Sequence, residues 1–284
     1  MSAPPAAAAA AAAAPPRCAI VTGGTSGIGL AVVRRLLRDG LRVLTTSRSA
    51  QRLAEAFPEE AAGAAPRPAV CVCDLATTAG CEAVAAAAAA AFGEGFSLAL
   101  LVNNAGGGAI AQQVGRASME TFDATFALNV RAPFLLVQLL LPRLARGACV
   151  VNLSSVAAAR PFAGMGPYCM SKAAVDMFTQ AAALELAPRG VRVVGVAPGT
   201  VETAFHARAG MGEATAAAYY EASQRTHPLG RVGRPEEVAE AVAWLGGDGA
   251  GFITGTTLVI DGGRLLTSST APQLGASAPA EGAR

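Results

Sequence analysis

Seven short apolar runs, each followed by a longer stretch of helical patterning, limit this chain to very few architectures. The runs are CAIVT (18–22), RVLTT (42–46), PAVCVC (68–73), LALLVN (98–103), ACVVNL (148–153), VRVVGV (191–196) and TTLVI (256–260). Their hydrophobicity is continuous rather than alternating, so each strand must be covered on both faces, as in a parallel sheet flanked by helices. Helices are expected over 27–39, 79–92, 119–144, 167–186 and 235–245, with Pro133 and Pro142 bending or shortening the third. Strand and helix alternate without a linker from residue 17 onward. The expected fold is therefore one α/β domain, a Rossmann-type, doubly wound, seven-stranded parallel sheet. Its ligand crevice lies beyond the carboxyl ends of the strands.

The domain is expected to span 17–264, between a disordered Ala/Pro-rich leader (1–16) and a flexible tail (265–284) rich in Ser, Ala, Pro and Gly. The leader has no charged segment ahead of its alanines, unlike a secretory signal, and lacks the Arg and Ser of a transit peptide. No uninterrupted apolar run reaches the length of a membrane span, the longest candidate being the alanine-rich stretch 83–91. A net charge of +2 with no basic run leaves no footprint for nucleic acid or a membrane surface, and neither partner is expected. Six cysteines without CxxC spacing and only two histidines, His206 and His227, give no metal motif. Cys71 and Cys73 share a strand face as plain thiols, and reduced cysteines point to a cytoplasmic protein.

The first strand runs directly into TGGTSGIG, with Gly23, Gly27 and Gly29 in a G-x-x-x-G-x-G spacing. Glycines at a strand-to-helix turn let the backbone approach a pyrophosphate at the helix N-terminus, which places Thr25, Ser26 and Ile28 beside the same ligand. A nucleoside-triphosphate loop would need Lys and Ser/Thr after the last glycine, where Leu30 and Ala31 stand. A hydrolase elbow centred on Ser26 would need glycine where Ile28 sits. The second strand ends in TTSRS, without the acid that usually binds the ribose hydroxyls of NAD. Ser47 takes that position and Arg48 follows, so a guanidinium is offered to a 2′-phosphate and NADP(H) is expected over NAD(H). After the third strand, Asp74 and Leu75 face the adenine, Asp74 accepting from the amino group or simply capping a turn. After the fourth, Asn104, Ala105 and Gly106 suit a chain passing close to a flat ring, and Asn103 suits either cofactor contact or bracing.

Tyr168 and Lys172 lie one helical turn apart, and long side chains lean toward the helix N-terminus, so the ammonium reaches back to the phenol. Half-ionising a tyrosine at neutrality takes about 4 kcal/mol of preferential phenolate stabilisation. A cation about 4 Å away at an effective dielectric of about 20 is worth about that much before screening, and an oxidised nicotinamide would add a second positive charge, which makes Tyr168 a proton donor and acceptor. Ser154 and Ser155 end the fifth strand, and one of the two hydroxyls is placed to donate to a substrate carbonyl oxygen.

TGGTSGIG, NNAG, Asn129 in LNV, the Ser-Tyr-x-x-x-Lys set and APGTVET together resemble the short-chain dehydrogenase/reductase family over nearly all of 17–264. That resemblance implies a reactive serine 13 residues before the tyrosine, which is Ser155, with Ser154 as a supporting neighbour. It implies further that Asn129 holds a water in a proton relay through Lys172 and the nicotinamide ribose. Pro198, Gly199 and Val201 would border the nicotinamide, and Thr203 would bond its carboxamide or the pyrophosphate. A homotetramer or homodimer is implied by the last strand and its loop.

The expected reaction is hydride transfer between nicotinamide and a ketone or secondary alcohol, in the reducing direction on a 3-oxoacyl thioester or related ketone. The alternatives are an alcohol, sugar or steroid dehydrogenase working oxidatively, and a catalytically silent dinucleotide-binding scaffold. Phe162 and Met165 suggest an apolar substrate wall, and Phe205, His206, Met211, Tyr219 and Tyr220 fall in a segment placed as a lid.

Overall fold

The computed structural model describes residues 17–58, 66–108, 113–203 and 213–267. The expected leader, the tail beyond residue 267, and Phe205, His206 and Met211 lie outside the described residues. Seven strands form one sheet: β1 (Cys18–Val21), β2 (Arg42–Ser47), β3 (Ala69–Val72), β4 (Leu98–Asn103), β5 (Leu144–Leu153), β6 (Arg192–Pro198) and β7 (Thr257–Ile260). Their order is β3-β2-β1-β4-β5-β6-β7, and every pairing is parallel. The chain therefore winds outward from β1 to one edge, then restarts at β4 on the other side of β1. This reversal opens a crevice at the carboxyl ends of β1 and β4, where sheets of this kind hold ligands.

The helices are α1 (Gly27–Arg38), α2 (Ala50–Ala56), α3 (Thr78–Phe92), α4 (Met119–Phe126), α5 (Ala132–Leu140), α6 (Gly166–Leu186), α7 (Glu213–Gln224) and α8 (Pro235–Gly246). Continuous apolar strands meet the need for cover on two faces. Ile20, Leu44, Leu98 and Leu101 face one layer, with Val84 of α3, Leu136 and Leu140 of α5 and Leu186 of α6. Val21, Val43, Leu100 and Val102 face the other, with Val32, Val33 and Leu36 of α1 and Val238, Val242 and Leu245 of α8. Neighbouring residues along one strand thus enter opposite cores, which follows from the two-residue period of extended backbone.

Three departures from the sequence reading have local causes. The long third helix divides into α4, a π-helical turn (Ala127–Arg131), α5 and a 3-10 turn (Leu141–Arg143). The break precedes Pro133, which sits in the first turn of α5 where a missing N–H costs nothing. Pro142 falls in the 3-10 turn. β5 begins at Leu144, four residues before its expected start, across a register shift against β4 between Leu98 and Leu100. Helices α2 and α7 were not expected. The first is a seven-residue helix with one buried side chain, Leu53, started by Ser49 accepting from the Arg52 amide at 3.2 Å. The stretch Met119–Arg143, mean hydropathy 1.6, is long and apolar enough by composition to cross a membrane. In this fold it buries Ala132, Pro133, Leu136, Val137 and Leu140, the first and the last three of them in the core layer that α3 and α6 cover.

Candidate active site

A cleft of about 430 Å³ follows the carboxyl edge of the sheet. With two exceptions, every cofactor or catalytic residue named from the sequence lines it: Gly23 and Thr25 through Gly29, Ser47, Arg48, Asp74, Leu75, Asn104 through Gly106, Ser155, Tyr168, Lys172, Pro198, Gly199, Val201 and Thr203. The exceptions are Asn103 and Asn129.

The floor is built from backbone. Gly23 takes φ 70, which suits glycine, and a Cβ on Gly29 would fall 2.3 Å from the Gly23 carbonyl oxygen and 2.4 Å from the Asn104 amide nitrogen. Asn104 is spent on this turn, its amide donating to the carbonyls of Thr22 (2.7 Å) and Gly23 (3.2 Å). The Thr22 hydroxyl accepts from the backbone N–H of Asn104 (3.0 Å) and Ala105 (2.9 Å), binding the ends of β1 and β4 together. Asn103 braces too, donating to Asn152 (2.8 Å), which donates to Thr179 (3.0 Å). Helix α1 opens onto the cleft with no acidic residue in its first turn, so its positive end remains for an anion. A glycine-rich cradle at a helix N-terminus fits a dinucleotide pyrophosphate.

At the β2 end, the Ser47 hydroxyl accepts from the Ser49 N–H at 3.1 Å, and the exposed Arg48 side chain reaches the cleft. Arg52 joins it from the first turn of α2. The sequence reading missed Arg52, although its four-residue spacing from Arg48 was the available signal. Asp74 lies in the cleft wall, and its carboxylate accepts from the Ala76 N–H at 3.1 Å. It organises a turn, while Thr77 caps α3.

The chemical end is assembled from β5, α6 and the segment after β4. Ser155 accepts from the Ala157 N–H at 3.1 Å and donates a hydrogen bond to the Tyr168 phenol. Ser154 is turned away, donating to the Lys172 carbonyl at 3.5 Å. Of the two, Ser155 is the one hydrogen-bonded to the phenol, and both line the cleft. Lys172 is buried, its ammonium donating to the Leu153 carbonyl at 2.6 Å and lying 5.7 Å from the centre of the Tyr168 ring. Gly108 makes room for that ring, since a Cβ there would come within 2.7 Å of it. Asn129, in the π-helical turn, saturates its side chain internally. It donates to the Gly107 carbonyl (2.8 Å) and Ser171 hydroxyl (2.9 Å) and accepts from the Gly107 N–H (2.9 Å). It fixes the segment after β4.

Burial pushes the Tyr168 phenol up to about 12 in the ligand-free protein, outweighing the hydrogen bond from Ser155, which lowers it. The same burial pushes the Lys172 ammonium down to about 8, with Asp176 opposing. Desolvation is the largest contribution for both groups. Tyr168 in the ligand-free protein is therefore a held proton rather than a phenolate.

The far wall is formed by Pro198, Gly199, Val201 and Thr203, with Phe162, Met165, Tyr219 and Arg264 around the chemical end. Buried His227 was not expected to matter here. Its Nδ1 donates to the Ser223 carbonyl (2.7 Å) and its Nε2 accepts from the Thr200 N–H (3.2 Å), fixing the wall from behind. Tyr220, a proposed lining residue, instead bonds the Thr203 carbonyl, whereas Tyr219 does face the cleft.

Residues 23–264 match a family model described as Enoyl-(Acyl carrier protein) reductase. Among curated relatives, Dehydrogenase/reductase SDR family member 4 of Homo sapiens is 34% identical over 249 residues, covering 87% of each chain. The 3beta-hydroxysteroid dehydrogenase 1 of Eggerthella lenta is 36% identical over 258 residues, 88% of this chain and 94% of the relative. Among solved structures, a short-chain dehydrogenase/reductase of unknown function from Caenorhabditis elegans, determined with cofactor, superposes with a TM-score of 0.81. It is 29% identical, with 89% of this chain and 97% of that one covered.

A lysine held at about 8 against its ordinary 10.5 disfavours the charged form in the folded protein, by about 3 kcal/mol. Below about pH 8 this destabilisation is present in full; as pH rises toward 10.5 it is relieved, because only the unfolded chain still binds the proton. Lys172→Met should therefore raise stability at pH 7 by about 2 kcal/mol, after the loss of about 1 kcal/mol at the Leu153 carbonyl. The gain should shrink toward pH 10. Urea unfolding of both proteins across that range checks this, and a variant less stable than wild type at pH 7 contradicts it.

Proposed function

The chain belongs to the short-chain dehydrogenase/reductase family, whose members bind a nicotinamide dinucleotide, and on that footing we propose that it is an NADP(H)-dependent carbonyl reductase. The observation that carries this reading is Tyr168 keeping its proton inside the cleft, bonded to Ser155 and backed by Lys172. A group in that state is prepared to give a proton to a carbonyl oxygen, which is what reduction requires.

Gly23 through Gly29 would hold the pyrophosphate, Asp74 and Leu75 the adenine, and Pro198, Gly199, Val201 and Thr203 the nicotinamide. The bound dinucleotide supplies the hydride. Tyr168 donates its proton to the carbonyl oxygen of the substrate. Ser155, its own oxygen fixed by the Ala157 N–H, donates a hydrogen bond to that oxygen as negative charge develops. The Lys172 ammonium then lies beneath the phenolate that remains and lowers its energy. Asn129 holds Gly107 and Ser171 in place, so the segment after β4 stays pressed against Lys172 and Tyr168.

Preference for the phosphorylated dinucleotide rests on two cations, Arg48 and Arg52, at the β2 end, with the usual acid absent. Phe162, Met165 and Tyr219 favour a ketone with an apolar body. Oxidation of a secondary alcohol is the second reading, supported by the dehydrogenase relatives. Six cysteines that form no disulfide among the described residues support a reducing compartment, the cytoplasm.

Purified protein should oxidise NADPH with simple aryl ketones, and Tyr168→Phe should lower kcat by about a hundredfold or more while dinucleotide affinity stays within about threefold. Retained turnover would remove the phenol from the chemistry. In the same assay, Arg48→Glu should cut the NADPH-over-NADH ratio of kcat/KM by about tenfold or more. Wild-type preference for NADH would refute the cofactor assignment.

A further inference from the structure

Arg264 was not singled out by its sequence position, and the mechanism above does not use it. It follows β7 on a tightly fixed turn. The Asp261 carboxylate accepts from the N–H groups of Gly263 (2.8 Å) and Leu265 (2.7 Å), and Gly262 and Gly263 both have positive φ. Thr267 closes the turn by donating to the Thr226 carbonyl at 2.9 Å. The turn sends the Arg264 side chain inward rather than to solvent. It is only 9% exposed and lines the cleft together with Phe162, Met165, Tyr168 and Tyr219.

Its guanidinium carbon lies 5.8 Å from the centre of the Phe162 ring, and that of Arg160 lies 6.0 Å from the same ring. The Nη1 atom is buried with no hydrogen-bond partner among the described residues. The nearby carboxylate, Asp261, is engaged by the turn, and no ion pair to Arg264 forms among the described residues. Burial and, after it, the neighbouring Arg160 disfavour its charge, with Tyr219 and Asp261 opposing more weakly. Buried charges in proteins are ordinarily paired and hydrogen-bonded, so a guanidinium that has no ion-pair partner among the described residues and faces a cleft is a site arranged for an anion that arrives from outside. The cleft's lining supports this. Its acidic member, Asp74, belongs to the adenosine end, while the charged residues at the chemical end are Lys172 and Arg264.

We infer that Arg264 receives a carboxylate carried by the substrate, so that the preferred substrates are oxo acids whose carbonyl lies at Tyr168 while their acid group reaches past Phe162 and Tyr219. This rests on the carbonyl-reductase reading above and narrows its substrate class. A guanidinium offers parallel N–H donors that match a carboxylate, and in a partly dry cleft such a pair discriminates strongly against a neutral ester of the same shape.

The test compares 4-acetylbenzoate and 5-oxohexanoate with their methyl esters, using full-length protein and the dinucleotide it prefers. Wild type should favour the acid of at least one pair by about tenfold or more in kcat/KM; Arg264→Met should bring that ratio near one, and Arg264→Lys should retain part of it. Calorimetry on protein loaded with the oxidised dinucleotide gives a second readout, in which Arg264→Met should weaken 4-acetylbenzoate binding by about tenfold. Equal treatment of acid and ester by wild type overturns the inference, as does a variant that loses both alike or loses only dinucleotide affinity. Ester reduction without acid preference would leave the reductase reading standing and the anion site refuted. Arginine-dependent binding of the acid with no ketone reduced would do the reverse.

Discussion

A buried ammonium hydrogen-bonded to the last carbonyl of a central strand organises the chemical end of this protein. Lys172 reaches from α6 to the Leu153 carbonyl at the end of β5, which fixes α6 against the sheet and brings Tyr168, one turn earlier, over the same edge. The position costs stability, since burial alone drives the lysine toward its neutral form. What it provides is a cation beneath a phenol that has few other charges to answer to. The segment after β4 completes the arrangement, with Gly106 lying against Lys172 and Gly108 against Tyr168.

The doubly wound sheet makes that arrangement possible. Strand order reverses at β1 and β4, and the Thr22–Asn104 bonds join these two strand ends into one rigid floor. On one side of the reversal the glycine turn and α1 offer backbone donors to a pyrophosphate; on the other, β5 and α6 offer a serine, a tyrosine and a lysine. A ligand long enough to cross the reversal meets both sets at once. His227 and Tyr220 hold the third wall from behind without entering the cleft, and so fix its shape.

The strands were legible because continuous apolar runs admit no other use in a chain of this kind, and the glycine turn was legible because its spacing follows a strand directly. What was not legible depends on contacts between distant segments. The π-helical turn around Asn129 is held by bonds to Gly107 and Ser171, which no helical propensity encodes. Ser154 and Ser155 are told apart in sequence only by the family's spacing to Tyr168, while in the structure the segment after β5 aims one at the Lys172 carbonyl and the other at the phenol. Sequence spacing reveals the cation next to Tyr168 but not the burial that pushes its phenol up in the ligand-free protein. Arg264 escaped notice for a related reason, since its burial follows from a turn fixed by Asp261 and packed against Pro228.

The central claim is that burial outweighs the Ser155 hydrogen bond and leaves Tyr168 protonated in the ligand-free protein. Phenolate absorbance, recorded as wild type minus Tyr168→Phe across alkaline pH, reads that proton directly. The account predicts no ionisation of this tyrosine until well above the ordinary value of 10.0, approaching about 12. Ionisation at or below about pH 8, where a dominant Coulomb attraction would place it, would contradict the account.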